Sequence, residues 1–300
     1  MLKKKSYQFV ISKKKNLFIL PIETLLFIFN FYLIFKKNCL KKILTKVFNP
    51  SFKVIVLANG PSLLKSINNN KFIRSRKNNQ LITLNTFPSK DSFFKLKPSF
   101  HCLIDSAFFK NYEFLAKEIK TEITKTFVNL NQTKWNLIIF IPSGTKKILE
   151  KKIINNKIQF IELSFMNYDF ESSLYIKLCS YLELPPPRVN VTVTALYLAI
   201  LSGNKDIKLI GADTTAFKGY EVNQTDNEGC IYSKHFSNSR NNAYHLTHKL
   251  INKKSNSMYV RLVRFASCFK WFAYLSIIAK KNNIKLKNKS FYSLIDSIER

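Results

Sequence analysis

Residues 53–63 read Lys-Val-Ile-Val-Leu-Ala-Asn-Gly-Pro-Ser-Leu, and this stretch decides the predicted fold. The apolar, β-branched run 54–58 predicts a buried strand, and Pro61 predicts the first turn of a helix. Ligands of parallel α/β sheets bind beyond the carboxyl ends of the strands, so Asn59 and Gly60 would lie beside a ligand, with the helix start facing a phosphate. The stretch matches neither a Walker loop nor the three-glycine dinucleotide fingerprint. An ordinary strand-to-helix connection is the alternative interpretation.

Strand and helix signals alternate along the rest of the chain. The predicted strands are 54–58, 80–85, 100–104, 135–141, 157–163, 206–210 and 284–286, and the predicted helices are 61–70, 192–201 and 260–280. Short apolar strands that alternate with helices predict an α/β fold, a parallel sheet with helices on both faces. Right-handed crossovers would bring all the strand ends to one edge of the sheet.

The charge of the chain indicates an anionic partner. Its 300 residues carry 49 Lys and Arg against 18 Asp and Glu, a formal net charge of +31, while 46% hydrophobic residues predict a folded protein. Nucleic acid, an acidic membrane surface and a phosphorylated glycolipid all fit such a charge. Most of the basic residues are lysines and no nucleic-acid-binding motif is present, so we expect no nucleic acid partner.

Cysteine spacing predicts neither a metal site nor a disulfide framework. The five cysteines are far apart in the sequence, at Cys39, Cys102, Cys179, Cys230 and Cys268. Without paired Cys or His spacing there is no zinc motif, and no Asp-x-Asp pair is present to hold a metal-bound nucleotide sugar. Free thiols are typical of a reducing compartment, which favours the cytoplasmic side of a membrane.

The N-terminal segment has a membrane-binding pattern. Residues 17–35 are nearly all apolar apart from Glu23, and lysines flank them on both sides. The length is marginal for a span, so a helix in the interface of an anionic membrane fits better. A hydrophobic helix packed on the rest of the chain is the alternative, and spanning stays open. We therefore predict a membrane-associating segment at 1–50 and a folded domain at 51–300, with a polar lid at about 214–257.

Polar side chains at the predicted strand ends form the candidate site. Asn59, Asn85, Asp105 and Asp213 each follow a predicted strand. Together they would form a polar cradle for a nucleotide, although a strand-end Asn taken alone is more often a turn or cap residue. Arg188 follows three prolines, so it could meet a phosphate in a fixed geometry. A surface arginine is the alternative.

A histidine in the polar segment could act as a general base. His235 is the candidate, because histidine is the side chain whose ordinary pKa lies near neutral pH. A solvated loop histidine is the alternative interpretation. His101 lies inside an apolar strand, which predicts a core residue.

Three features of the sequence point to a known family: the Asn-Gly-Pro-Ser-Leu turn, the strand-end Asn85, and the segment from Arg188 to the Gly211-Ala212-Asp213 strand end. Over about residues 52–290 the chain resembles family 42 of glycosyltransferases. These are bacterial sialyltransferases that act on lipooligosaccharide. The MptE-like proteins of surface-polysaccharide clusters share the turn. The resemblance implies a Rossmann-like fold of the GT-A type, a CMP-activated donor, no metal, and transfer to a glycolipid or polysaccharide at the membrane.

Site residues follow from the resemblance position by position. Asn59, Gly60 and Ser62 would hold the ribose and phosphate region of the donor, and Asn85 the cytidine monophosphate. Arg188 would match the active-site arginine, and Tyr232 would help to stabilise the leaving phosphate. His235 would match the base, with His248 the second candidate, because His235 lies nearer the Gly-Ala-Asp strand end. Asp105 and Asp213 complete the predicted donor site.

Two departures keep the donor sugar open. Thr214-Thr215 stand where the family has phosphate-binding tyrosines, leaving Tyr220 or Tyr232, and Asp105-Ser106-Ala107 replace Asn-Pro-Gly. A diphosphokinase of the MptE-like type that uses ATP and magnesium is an alternative function. A non-enzymatic basic protein that binds membrane or nucleic acid is another. The acceptor, the linkage and the oligomeric state stay open.

Overall fold

The computed structural model describes residues 16–68, 78–109, 117–215, 218, 220–222, 229–233, 244–245 and 258–300. The strands, numbered along the chain, are β1 (Lys53–Leu57), β2 (Asn79–Leu84), β3 (Phe100–Cys102), β4 (Leu137–Pro142), β5 (Ile158–Leu163), β6 (Asp206–Ile210), β7 (Tyr220–Val222), β8 (Gly229–Ser233), β9 (Tyr244–His245) and β10 (Lys285–Asn288). The α-helices are α1 (Asn16–Phe29), α2 (Tyr32–Val47), α3 (Leu63–Ile67), α4 (Ser92–Leu96), α5 (Lys117–Asn131), α6 (Lys146–Glu150), α7 (Ser173–Leu182), α8 (Val191–Leu201) and α9 (Met258–Lys281).

A seven-stranded sheet in the order β10-β6-β1-β2-β3-β4-β5 forms the centre of the fold. Every pairing in it is parallel. The chain therefore builds β1 to β5 outward in one direction and then returns to place β6 on the other side of β1. This reversal is the topological switch point of a Rossmann-like α/β fold, and ligands of such sheets bind beside it.

Alternate residues of the strands face two hydrophobic cores. On β1, Val54 and Val56 belong to the core that α2, α8 and α9 cover, whereas Ile55 and Leu57 belong to the core that α3, α5 and α6 cover. Helix α8 is buried on all sides, since every residue from Thr192 to Leu201 is buried. The predicted parallel sheet with helices on both faces is confirmed.

The apolar segment 17–35 is two helices rather than one. Helix α1 ends at Phe29 and α2 begins at Tyr32, so the break lies at Asn30 and Phe31. Leu33 and Leu44 of α2 are fully buried, and Phe48 just beyond α2 stacks on Phe100 of β3 at 3.8 Å between ring centroids. Helix α2 and Phe48 therefore pack on the sheet domain.

The polar segment after β6, expected to be irregular, contains short strands where the structure describes it. Strands β7, β8 and β9 form an antiparallel sheet of three strands. Among the described helices, α9 is long and apolar enough to cross a membrane by length and composition. In this structure α9 packs against α7 and α8 and buries Trp271 and Phe272 in the core.

Candidate functional site

Parallel pairing brings the predicted strand-end residues to one edge of the sheet. Asn59 lies two residues beyond β1, Asn85 follows β2, Asp105 lies three residues beyond β3, and Asp213 lies three residues beyond β6. Strands β1, β2, β3 and β6 are neighbours in the sheet. The residues that the sequence separates by more than 150 positions therefore meet at the carboxyl edge.

The two asparagines connect the ends of neighbouring strands. The Nδ2 atom of Asn59 donates to the carbonyl of Leu84 at 2.9 Å. Asn85 adopts a left-handed backbone conformation (φ 41°), which asparagine tolerates better than most residues, and its Oδ1 accepts the N–H groups of Ile104 and Asp105 at 3.3 and 3.4 Å. Asn59 Oδ1 is buried and has no hydrogen-bond partner in the described part of the chain. It is a buried acceptor whose hydrogen-bonding capacity the described residues leave unsatisfied.

Arg188 reaches the same edge from the proline run. Pro187 forms a bridge with Met166 just beyond β5, which holds the run against the sheet end. The guanidinium of Arg188 donates to the carbonyl of Ile104 and lies 5.7 Å from the ring centroid of Phe109. The backbone N–H of Ile104 donates to Asn85, so Ile104 links Arg188 to Asn85 through hydrogen bonds. Arg188 is exposed at this edge.

At the switch point, the chain fills the predicted phosphate position with its own carboxylate. Asp213 accepts the backbone N–H of Ser62 at 2.7 Å and also the Ser62 hydroxyl, and the two side chains are only 2% and 7% exposed. A Cβ atom on Gly60 would lie 2.4 Å from the carbonyl oxygen of Gly211 and 2.7 Å from Asp213 Oδ2. The close approach that Gly60 permits is therefore to β6 and Asp213.

A phosphate at the start of α3 does not fit this geometry. Helix α3 has only five residues, Leu63–Ile67, so its dipole is short, and the Asp213 carboxylate would repel a second anion there. Ser62 and Asp213 form a latch that joins the ends of β1 and β6. The strand order places β6 beside β1 and so brings Asp213 to Ser62. The sequence pattern alone did not predict this contact, because β6 follows β1 by about 150 positions.

Asp105 has one structural role and one open face. Its Oδ1 accepts the N–H of Ala107 at 3.0 Å and so caps the short 3-10 turn Ser106–Phe108. The side chain is exposed. A carboxylate in this position can also accept hydrogen bonds from the hydroxyls of a sugar.

The predicted base and its partners fall largely outside the described residues. His235 and His248 lie outside them, and for Tyr232 the structure describes only the backbone, in β8 opposite His245 of β9. Their predicted roles stay predictions. Among the described residues, no three His, Cys, Asp or Glu side chains come together as a metal site would require.

His101 is a core residue, as its place in an apolar strand predicts. It is fully buried, its Nδ1 is 2.9 Å from the Thr83 hydroxyl, and burial lowers its pKa to about 3. A neutral imidazole inside the sheet cannot reach a substrate at the edge.

Sequence reasoning missed Asp169, which organises the loop beyond β5. Its carboxylate accepts from Lys270, from the Ser267 hydroxyl and from the indole N–H of Trp271. These bonds fix the loop between β5 and α7 to α9, beside the proline run that carries Arg188. No local sequence motif predicts this role of Asp169, because its partners lie about 100 residues later, on α9.

Comparison with known proteins adds no relative. No family model, curated protein or solved structure matches this chain.

Proposed function

We propose that this protein is an inverting, metal-independent glycosyltransferase, which moves a sialic-acid-like sugar from a CMP-activated donor to a lipooligosaccharide or polysaccharide acceptor at the cytoplasmic face of a membrane. One observation carries the proposal. Asn59, Asn85, Asp105 and Arg188 meet at the carboxyl edge, beside the switch point of the parallel sheet. This is the position at which α/β sheets hold nucleotides.

In this proposal the donor phosphate lies at Arg188 rather than at α3. A guanidinium offers several N–H donors in a plane, which suits the two oxygens of a phosphodiester. The exposed carboxylate of Asp105 accepts hydrogen bonds from the ribose or the cytosine amino group. Asn85 positions the Ile104–Asp105 backbone on which Arg188 and Asp105 depend.

The chemical step uses a base from the segment 214–257, which acts as a lid over a GT-A-type domain. His235 removes the proton from an acceptor hydroxyl as that oxygen attacks the anomeric carbon and the CMP oxygen leaves. Arg188 and Tyr232 stabilise the charge that develops on the departing phosphate.

A ligand panel tests the nucleotide class. Thermal unfolding is measured with CMP, UDP, GDP and ATP, each with and without magnesium. A ligand at about 100 times its Kd should stabilise the folded state by about 2.7 kcal/mol, so a specific nucleotide gives a clear rise in Tm. We expect CMP to stabilise without magnesium. Stabilisation by ATP with magnesium alone would favour the diphosphokinase, and no nucleotide effect would contradict the proposal.

Turnover tests the reaction. The purified chain should release CMP from CMP-sialic acid in the presence of a lipooligosaccharide acceptor. His235→Ala should bind CMP as the parent does but lose turnover by about 100-fold or more, the contribution typical of a general base. If His235→Ala retains turnover and His248→Ala loses it, the base is His248. Loss of turnover in neither variant would contradict both His235 and His248 as the base.

A further inference from the structure

Helices α1 and α2 and the break between them expose a series of large apolar side chains. We name the α1–α2 stripe by its members: Ile22, Leu25, Ile28, Phe31, Tyr32 and Phe35. Each is between 48% and 70% exposed. On α1 they are three residues apart, which places them on one side of the helix. An exposed apolar surface of this extent marks an interaction site.

The other side of these helices is fixed to the domain by polar contacts. Glu23 is fully buried, and its Oε1 accepts the N–H groups of Glu171 and Ser172, both at 3.0 Å, at the start of α7. Lys37 donates to the carbonyl of Leu182 at the end of α7 at 2.8 Å. The single carboxylate of the apolar segment therefore docks α1 on α7.

These contacts decide between a span and a surface attachment. Helix α1 has 14 residues, which is about 21 Å at a rise of 1.5 Å per residue. The hydrocarbon core of a bilayer is about 30 Å thick. To span it, the segment would have to withdraw Glu23 from α7 and bridge the break at Asn30 and Phe31. A helix pair that lies in the membrane plane keeps all of these contacts.

Charge identifies what covers the α1–α2 stripe. From Thr24 to Pro50 the sequence contains no Asp or Glu, and α2 carries the exposed lysines Lys36, Lys41, Lys42 and Lys46. A second copy would bring the same lysines and a formal charge of +31 against them. Anionic lipid headgroups are complementary to lysines beside an apolar surface.

The stripe adjoins the edge that carries the candidate site. Asn30 Oδ1 accepts the N–H of Asn167 at 3.3 Å, and Met166 bridges Pro187, the residue before Arg188. The beginning of α2 therefore lies on the same side of the molecule as the carboxyl edge.

We infer that the α1–α2 stripe inserts into the headgroup region of an anionic membrane, parallel to its surface, and holds the Arg188 edge beside the lipid. This attachment goes beyond the proposed sugar transfer and does not depend on it. It requires only the exposed apolar side chains and the lysines of α2.

Vesicle sedimentation of the full-length chain tests the attachment. Vesicles of phosphatidylcholine with phosphatidylglycerol are compared with vesicles of pure phosphatidylcholine. We expect binding to the anionic vesicles, with weaker binding at high salt. The double variant Phe31→Ser/Phe35→Ser should bind at least about tenfold more weakly, because each Phe buries apolar area in lipid. The matched control is Ile154→Ser, which removes an apolar side chain that is 85% exposed but lies far along the chain, before β5.

A fluorophore on the exposed Cys39 reports the orientation. In a Cys230→Ser background, an environment-sensitive label at Cys39 should shift its emission to the blue on addition of anionic vesicles. Equal binding by the double variant and the parent, or no shift at Cys39, would overturn the inference. A third result would also overturn the inference: the parent forms a dimer in solution and does not bind vesicles, and the double variant is a monomer. Thermal unfolding of the double variant checks that it is folded. Nucleotide binding is measured in solution without vesicles, so failure of the membrane attachment is distinct from failure of the proposed sugar transfer.

Discussion

Replacing Asp213 by alanine should destabilise the folded protein strongly. The buried carboxylate accepts two hydrogen bonds from Ser62, one from the backbone N–H at 2.7 Å and one from the hydroxyl. A hydrogen bond to a charged group contributes about 1.5–3 kcal/mol, so the loss of two predicts a decrease in the free energy of unfolding of about 3–6 kcal/mol. Against a typical free energy of unfolding of about 5–15 kcal/mol, this loss is large. Asp213→Asn retains an acceptor for the N–H and should lose only about 1–2 kcal/mol.

Urea unfolding followed by tryptophan fluorescence measures these differences, since Trp271 is buried in the core. Asp105→Ala is the matched control, because Asp105 also accepts one N–H at a strand end but is exposed, and its loss should be about 1 kcal/mol. CMP titration of Asp213→Asn should match the parent. If Asp213→Asn unfolds like the parent and binds CMP more than about tenfold more weakly, Asp213 contacts the ligand and the latch is wrong.

Gly60→Ala should lose about 1–3 kcal/mol and lower Tm, because the new Cβ would meet the Gly211 carbonyl oxygen at 2.4 Å; an unchanged Tm would contradict the packing. Burial lowers the folded-state pKa of His101 to about 3, below an unfolded value of about 6.5. Between these pH values the unfolded chain binds a proton that the folded chain does not, so the free energy of unfolding falls as the pH falls from 6.5 towards 3, by up to about 1.4 kcal/mol per pH unit. In urea unfolding, His101→Leu should flatten this pH dependence. In the Cys230→Ser background, a thiol reagent should modify Cys39 first, since burial raises the pKa of Cys268 to about 11 and that of Cys179 to about 12.

The strands were predictable because each is a short apolar run between turn residues. The predicted strand 206–210 has the same bounds as β6, and the predicted strand 54–58 differs from β1 by one residue. The break between α1 and α2 was not predictable from hydrophobicity, since apolar residues continue across it. It depends on Asn30, which caps α1 by donating to Leu26 and accepts from Asn167 across the molecule.

The site was predictable in its members but not in its partners. Parallel topology implies that Asn59, Asn85 and Asp213 share an edge. The sequence does not reveal that β6 lies beside β1, and only this adjacency turns Asp213 towards Ser62. The proline run predicted a fixed Arg188, while its contact with Ile104 follows from a tertiary approach across 84 residues.

Isothermal titration of CMP into the parent, Arg188→Ala and Arg300→Ala tests the central claim most directly. Arg300 is the matched control because it also donates from its guanidinium to a backbone carbonyl, that of Ser293 rather than that of Ile104 beyond β3. The proposal predicts CMP binding by the parent and Arg300→Ala, and about 10- to 100-fold weaker binding by Arg188→Ala, the effect of losing a charge-assisted contact to phosphate. Equal CMP affinity in all three proteins would contradict a phosphate site at the Arg188 edge.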